Sequence, residues 1–561
     1  MKFADMQYTR PELESTQARY RELLKNFKAA KTADECFASH KEINDFTEYV
    51  NTMINLAYVR KTLNTKDEYY AAEYEYLDEV RPHFKEVLQE IFAAMLNSPF
   101  RKEMEAAWGK IMFSNLEIEL KTFSPEIIED LQEENRLCSE YADLLASAEI
   151  EFDGKTLNLS DMSAYFENKD RDMRVQACEA LSNWYTSHAE QFDTIFDKLV
   201  KLRTGIAKKL GYESFTELGY YRMQRNCFDE AMVTKFRQGI IEHIVPLILK
   251  IKAEQAVRIG VDKIDIADLS FNYPDGNPTP KGTPDEIFAH GKKMFAELSD
   301  ETSEFFNFML ENDLFDVLSK PGKGVGGYLE EFHIYKAPFI FANFNGTSND
   351  IYVLAHEAGH GYASYVAYDI YPYELREGSP EISEIHAMAM EFFAWPWMEG
   401  FFGADTQKYY HRHLSKSIEF LPYGSMVDEF QHLVYAKPEM TPAERNALWL
   451  ELEAKYRPWI DMAGIPYWAE GRCWHRQAAI YEMPFYYIDY CLAGIMALNF
   501  WALNQSDHMS TWEKYVRLVK FAATKNFVEL VSDSGLPTPF EPQNLKMVAD
   551  MAAEWLEKNR V

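Results

Sequence analysis

Over about the first 250 positions, apolar residues recur three and four apart, as in Leu23, Leu24 and Phe27 and again in Ile54, Leu56 and Val59. That spacing is the period of helices that bury one face, and it predicts helix after helix with an aromatic and Met-rich core. One interruption stands out: Phe152-Asp153-Gly154-Lys155-Thr156 sets Asp-Gly between short β-like runs, which predicts a hairpin. A loop is predicted at Phe271–Asp285, where four prolines and two glycines fall together. Pro321–Gly327 is a second Gly-rich stretch, and it leads into Tyr328–Asn343. The apolar run there (Phe332, Ile334, Tyr335, Phe339, Ile340, Phe341) predicts one or two short strands. Helical spacing resumes at Asn349. It lasts to the end, with Leu536–Pro542 as a final loop before a C-terminal helix. The expected fold is mainly α, with one small β element directly before the segment that carries the chemistry.

Composition narrows the classes. The chain has 561 residues, 47% of them hydrophobic, enough for a large core. No uninterrupted apolar run reaches about 18 residues, so no membrane span and no membrane partner are expected. The N-terminus turns polar within a few residues and lacks the apolar stretch of a signal peptide. The six cysteines, Cys36, Cys138, Cys178, Cys227, Cys473 and Cys491, form no CxxC pair. They read as reduced thiols in a cytoplasmic protein. Lys plus Arg number 58 against 89 Asp plus Glu, a net charge of −31. That field repels a phosphate backbone, so nucleic acid is not expected as a partner.

The chemistry centres on His356-Glu357-Ala358-Gly359-His360. On a helix, positions four apart lie about 40° apart and one turn along, so both imidazoles aim at one point. Zinc takes neutral nitrogen ligands at about 2.0–2.1 Å, and this spacing supplies two. Glu357 can reach a metal-activated water without being a ligand, the position of a general base. The flanking residues are apolar and proline-free, which predicts a buried helix of about five turns. Gly359 weakens helix propensity, so a close-packing reason is expected. A second helix should begin at Ser379-Pro380-Glu381, with Ser379 as N-cap. On it, Glu384 and Glu391 are seven apart and share a face lined by apolar neighbours. A buried carboxylate pair needs compensation, which a cation with its histidines would provide. Glu384 then binds metal and Glu391 accepts from a ligand imidazole, while Glu381, one turn earlier, competes for the ligand role. His386 falls elsewhere on the wheel and reads as a core or supporting histidine. The His411-Arg412-His413 triplet has i, i+2 spacing, shares no helix face and reads as solvated surface.

HEAGH followed 24 residues later by Glu384 in EIHAMAME resembles the oligoendopeptidase F and thimet oligopeptidase family, in particular its Pz-peptidase-like bacterial members. That family's ligand Glu has a second Glu seven residues on. Glu384 with Glu391 fits and Glu381 with Met388 does not, so the resemblance assigns Glu384. It implies one zinc ion per chain, cleavage of internal bonds in short peptides, and two helical halves enclosing a deep substrate channel. The expected division is an N-terminal helical region at 1–200 and a catalytic region at 201–561. Lys336–Thr347 resembles the family's strand that pairs with bound peptide, which makes Phe341 and Asn343 candidates for substrate contact on an edge strand. Pro484–Ala493 resembles its tyrosine-rich helix. By that likeness Tyr487 and Tyr490 are the donors to the scissile carbonyl oxygen. Related sequences carry a histidine where Ala479 stands here, and His475 or Tyr481 is the expected substitute in binding substrate. The rivals are a zinc exopeptidase and a non-catalytic peptide-binding protein on the same fold. Cobalt or manganese could also occupy such a site. Oligomeric state is open.

Overall fold

The computed structural model describes residues 1–376, 378–462 and 464–561. The chain is mainly helical. Long helices at Ala33–Leu63 and Glu68–Leu96 begin where Thr32 and Asp67 accept backbone N–H groups of the first turn. With Leu13–Ala29 they enclose a small core in which Leu23, Leu24 and Phe27 meet Leu77, Phe84, Val87 and Ile91. That core closes by Leu116 apart from Leu375. The helices at Ile128–Ala146 and Ala189–Lys209 instead send Leu137, Tyr141, Phe192 and Phe196 into the larger core, which Met53, Leu56 and Val59 also join. A cavity of about 470 Å³ lies between small-core helices (Ile54, Phe84, Leu88, Leu116) and the segment around Tyr373 and Gly378. Among the described residues, no helix is long and apolar enough to cross a membrane. All six cysteines are free thiols.

The hairpin forms as expected: β1 (Ile150–Phe152) and β2 (Lys155–Leu157) pair antiparallel. Asp153 and Gly154 take φ of 51° and 71°, the left-handed pair of a tight two-residue turn. The second sheet has three strands, β3 (Phe315–Leu318), β4 (Tyr328–Phe332) and β5 (Ala337–Phe344), in the order β3-β5-β4. β3 runs parallel and β4 antiparallel to β5. This corrects the expectation for 336–347. β5 is the central strand, and β4 is the edge.

The register shows which groups that edge exposes. Glu331 faces Pro338, which has no N–H to give, and Leu329 faces Ile340, whose N–H bonds the Leu314 carbonyl at 3.0 Å. Both are therefore wide, non-bonded rungs of the ladder. The Leu329 main chain turns to the open edge, and two residues on, Asn55 already donates to the Glu331 carbonyl at 2.9 Å. Behind the sheet lies the motif helix (Asn349–Ala367), and across it the ligand helix (Pro380–Phe393). A Cβ at Gly359 would stand 2.6 Å from the His386 carbonyl oxygen and 2.7 Å from the Ala387 Cα. The two backbones touch there, which is why the motif helix tolerates a glycine.

Gly359→Ala tests that crossing. Both clashing atoms are main chain, so the helices must separate. The expected loss is about 2 kcal/mol of stability in denaturant unfolding, with a parallel loss of zinc affinity. A variant as stable as the native chain would show that the crossing is loose.

Candidate metal centre

The crossing brings the donor atoms together. His356 and His360 lie one turn apart on the motif helix, and their ring centroids are 5.0 Å apart. Glu384 approaches from the ligand helix, its Oε2 lying 3.4 Å from His356 Nε2 and 3.8 Å from His360 Nε2. Donors on a tetrahedron about 2.0–2.1 Å from zinc stand about 3.3 Å from one another, so these spacings fit with small adjustment. Glu384 Oε1 accepts the Tyr486 hydroxyl, whereas the buried Oε2 has no hydrogen-bond partner among the described residues. A buried carboxylate oxygen left so is costly, and a cation would offset it. Burial pushes the His360 imidazole down to about 4, which leaves it neutral with a lone pair to offer. Burial alone would raise the Glu384 carboxyl, but the adjacent His356 and His360 imidazoles hold it below its ordinary value.

A chain of hydrogen bonds fixes which nitrogen of His356 faces the site. Trp395 Nε1 can only donate, and it donates to His413 Nδ1 at 2.9 Å. His413 therefore carries its proton on Nε2, which reaches Glu391 Oε2 at 3.0 Å. The other oxygen of Glu391 takes the Nδ1–H of His356 at 2.7 Å. His356 Nε2 is left to point at Glu384.

Glu357 is buried beside these donors, and a Cβ at Gly327 would stand 3.4 Å from its Oε1. The Gly-rich stretch before β4 thus makes room for it. Burial, reinforced by the charges of Glu384 and Glu391 and opposed by His356, pushes its carboxyl up to about 7. A cleft of about 390 Å³ opens over the group, bordered by Gly327–Glu331 along β4, by Glu357 and the three donors, and by Tyr486 and Tyr490. Gly378 borders both this cleft and the cavity between the two cores, so the two spaces adjoin.

Several expected residues sit elsewhere. Tyr487 is not among the cleft-lining residues; its ring packs on Phe420 and Tyr423 at 5.5 and 6.0 Å. Tyr486 takes the place expected of it. Spacing does not separate the two, since residues three and four before Tyr490 both share its face. His475 is wholly buried, with Nε2 2.9 Å from Asp193 and its ring stacked on Phe192, and does not line the cleft. Tyr481 stacks on Tyr141 at 3.8 Å and donates to the Phe192 carbonyl. Neither substitutes for a histidine at Ala479 in this arrangement, because both point into the larger core. Phe341 lies on the central strand, buried against Tyr328. Asn343 donates to the Gly324 and Gly326 carbonyls, both at 2.9 Å, and so pins the Gly-rich loop instead of facing the cleft. Glu381 is held by the Ser379 hydroxyl and is absent from the donor cluster. Ser379 occupies the N-cap position, but its side chain is spent on that bond instead of capping the helix. His386 does border the cleft, buried, with Nε2 unpartnered among the described residues. His411 and His413 are each 4% exposed, which corrects their reading as solvated surface. Both positions of their helix, Thr406–Ala436, face packed neighbours: His413 meets Trp395 and Glu391, and His411 meets Tyr273.

Comparison with known proteins finds the following likenesses. Residues 3–123 match the peptidase M3 N-terminal domain, and residues 290–533 match peptidase family M3. A solved structure of Pz peptidase A with an inhibitor is 45% identical, covers 99% of each chain and superposes with a TM-score of 0.98. Oligopeptidase PepF of Bacillus subtilis is 24% identical over 298 residues, 52% of this chain and 44% of that one. Oligoendopeptidase F of Lactococcus lactis subsp. cremoris is 22% identical over 42% of this chain and 38% of its own. The aligned stretch therefore spans less than half of either of these two relatives.

Glu391→Ala should lower zinc affinity about 10–100-fold by freeing the His356 ring. Competition against a chromophoric chelator measures this, and an unchanged affinity would show that the ring is held by packing alone.

Proposed function

The chain belongs to the peptidase M3 family, and on that premise we propose that it is a zinc-dependent oligoendopeptidase, acting on internal bonds of short peptides in the cytoplasm. The observation that carries the reading is the convergence of His356, His360 and Glu384 beside a buried Glu357, beneath the open edge of β4. One zinc ion per chain would supply an acidified water and polarise the peptide carbonyl.

The remaining steps belong to the chain's own residues. The open edge of β4 at Leu329 holds an extended peptide by its main chain, which suits broad sequence preference. Glu357 takes the proton of the attacking water, and burial helps it keep that proton until the leaving amine needs it. Tyr490 is a phenol that burial holds neutral, able to donate to the carbonyl oxygen as negative charge grows on it, while the Tyr486 hydroxyl stays on Glu384. The cleft and its adjoining cavity set a limit on substrate size, so short peptides are the proposed partners, with no nucleic acid and no membrane.

An internally quenched peptide blocked at both ends tests the reading. The native chain should cleave it and a chelator should stop cleavage. Glu357→Gln should keep zinc while turnover falls about 10³-fold, and Tyr490→Phe should lower kcat about 10²-fold. Stoichiometric zinc with no cleavage would favour a peptide-binding protein, and cleavage only of unblocked peptides would favour an exopeptidase.

A further inference from the structure

A second cavity, of about 380 Å³, shares no lining residue with the cleft and opens at the N-terminal end of the motif helix, at Thr347 and Asn349. Four cationic side chains line it, Lys252, Arg258, Arg412 and Lys416, against two carboxylates, Glu167 and Glu419. Lys252 pairs with Glu419 at 2.6 Å, and Arg412 pairs with Glu167. The other two have no carboxylate. Arg258 donates to the Asn272 carbonyl at 2.7 Å and lies on the Tyr273 ring. Lys416 donates only to Asn349 Oδ1, at 2.9 Å. In a chain of net charge −31, this local excess of positive charge runs against the whole.

Two further observations point to a ligand. Ser415 is 7% exposed and borders the cavity, yet its hydroxyl has no hydrogen-bond partner among the described residues. The side chain of Ser348, at the N-cap of the motif helix, caps nothing and instead accepts from Arg412. The positive end of that 19-residue helix therefore adds to the field of the cations.

We infer that this cavity is a binding site for an oxyanion, held by Lys416 and Arg258 with the Ser415 hydroxyl as a further donor. The chemistry fits two sources, a free tetrahedral anion or the terminal carboxylate of a bound peptide. The second source rests on the proposed peptidase reading; the first does not. The site is also close to the metal centre. Lys416 Nζ lies 5.0 Å from the Tyr352 ring, whose other neighbours are His356 at 5.9 Å and His413 at 5.7 Å. One aromatic ring thus separates the anion's partner from a metal ligand.

Sodium sulfate titrated into the zinc-loaded full chain, followed by calorimetry and by thermal unfolding, is the test. The expected result is one saturable site and a rise in Tm of about 2 °C near saturation. Sulfate also stabilises proteins non-specifically by exclusion from their surface, but that effect does not saturate and is common to all variants. Lys416→Met should weaken the saturable binding at least tenfold, while Lys546→Met, at an exposed ion pair with Asp550, should leave it unchanged. Removing an unpaired cation should not lower Tm in the absence of sulfate. Absence of saturable binding, or equal binding by Lys416→Met, would overturn the inference. In a Glu357→Gln background, competition by an N-blocked peptide and its C-terminal amide separates the sources. Displacement of sulfate by the free acid alone assigns the peptide end, and displacement by neither assigns a free anion. Equal displacement by both would overturn the carboxylate assignment.

Discussion

The contact of Gly359 with the main chain of His386 and Ala387 sets the separation of the two helices that carry the metal donors. Helices whose side chains interdigitate usually run about 8–10 Å apart. Here backbone meets backbone, and the short side chain of Glu384 reaches the two imidazoles of the motif helix without help from a loop. The donor spacings of 3.4 and 3.8 Å follow from that crossing. Rigid elements hold such a constellation better than loops do, because side-chain rotamers on packed helices have few alternatives.

The same crossing creates an electrostatic problem. Glu357, Glu384 and Glu391 are all buried within one small volume. Carboxylates so placed destabilise a fold unless each is paired or protonated. The structure resolves the three differently. Glu391 is paired on both oxygens by His356 and His413. Glu384 is paired on one oxygen by Tyr486 and turns the other to the donor cluster. Glu357 has neither arrangement, and its carboxyl is pushed up to about 7. Three like residues thus stand in three different surroundings. A second layer of aromatic and cationic groups surrounds them, with Tyr352 touching His356 on one side and Lys416 on the other.

The small sheet complements the helices. Asn343 on the central strand holds the carbonyls of Gly324 and Gly326, and so fixes the loop that turns into β4. Gly327 then lets that strand pass close to Glu357, placing an open hydrogen-bonding edge beside the chemistry. The positive cavity at the start of the motif helix lies at that helix's opposite approach, so both a main-chain edge and a charged recess flank one helix.

Local pattern alone was enough for much of this. The 3.6-residue period gave the helices, Asp153-Gly154 the hairpin, and the spacing of HEAGH, Glu384 and Glu391 the residues that the structure gathers into a candidate metal centre. These are relations within one helix or one turn, where residue spacing translates directly into direction. Glu381 remained a rival to Glu384 by spacing, and the structure separates them because Glu381 is held by Ser379. What only the tertiary structure decided concerns partners from distant segments. Strand order put β4 rather than β5 at the edge, since pairing with β3 depends on a strand whose short apolar run gives no sign of its neighbours. Tyr486 rather than Tyr487 faces the cleft because Phe485 takes a left-handed φ of 71° just before the helix begins. His413 became the partner of Glu391 because its helix packs that position against the ligand helix and Trp395. Sequence spacing fixes where a side chain points along its own element; which element it meets is set by packing, and packing is a property of the whole chain.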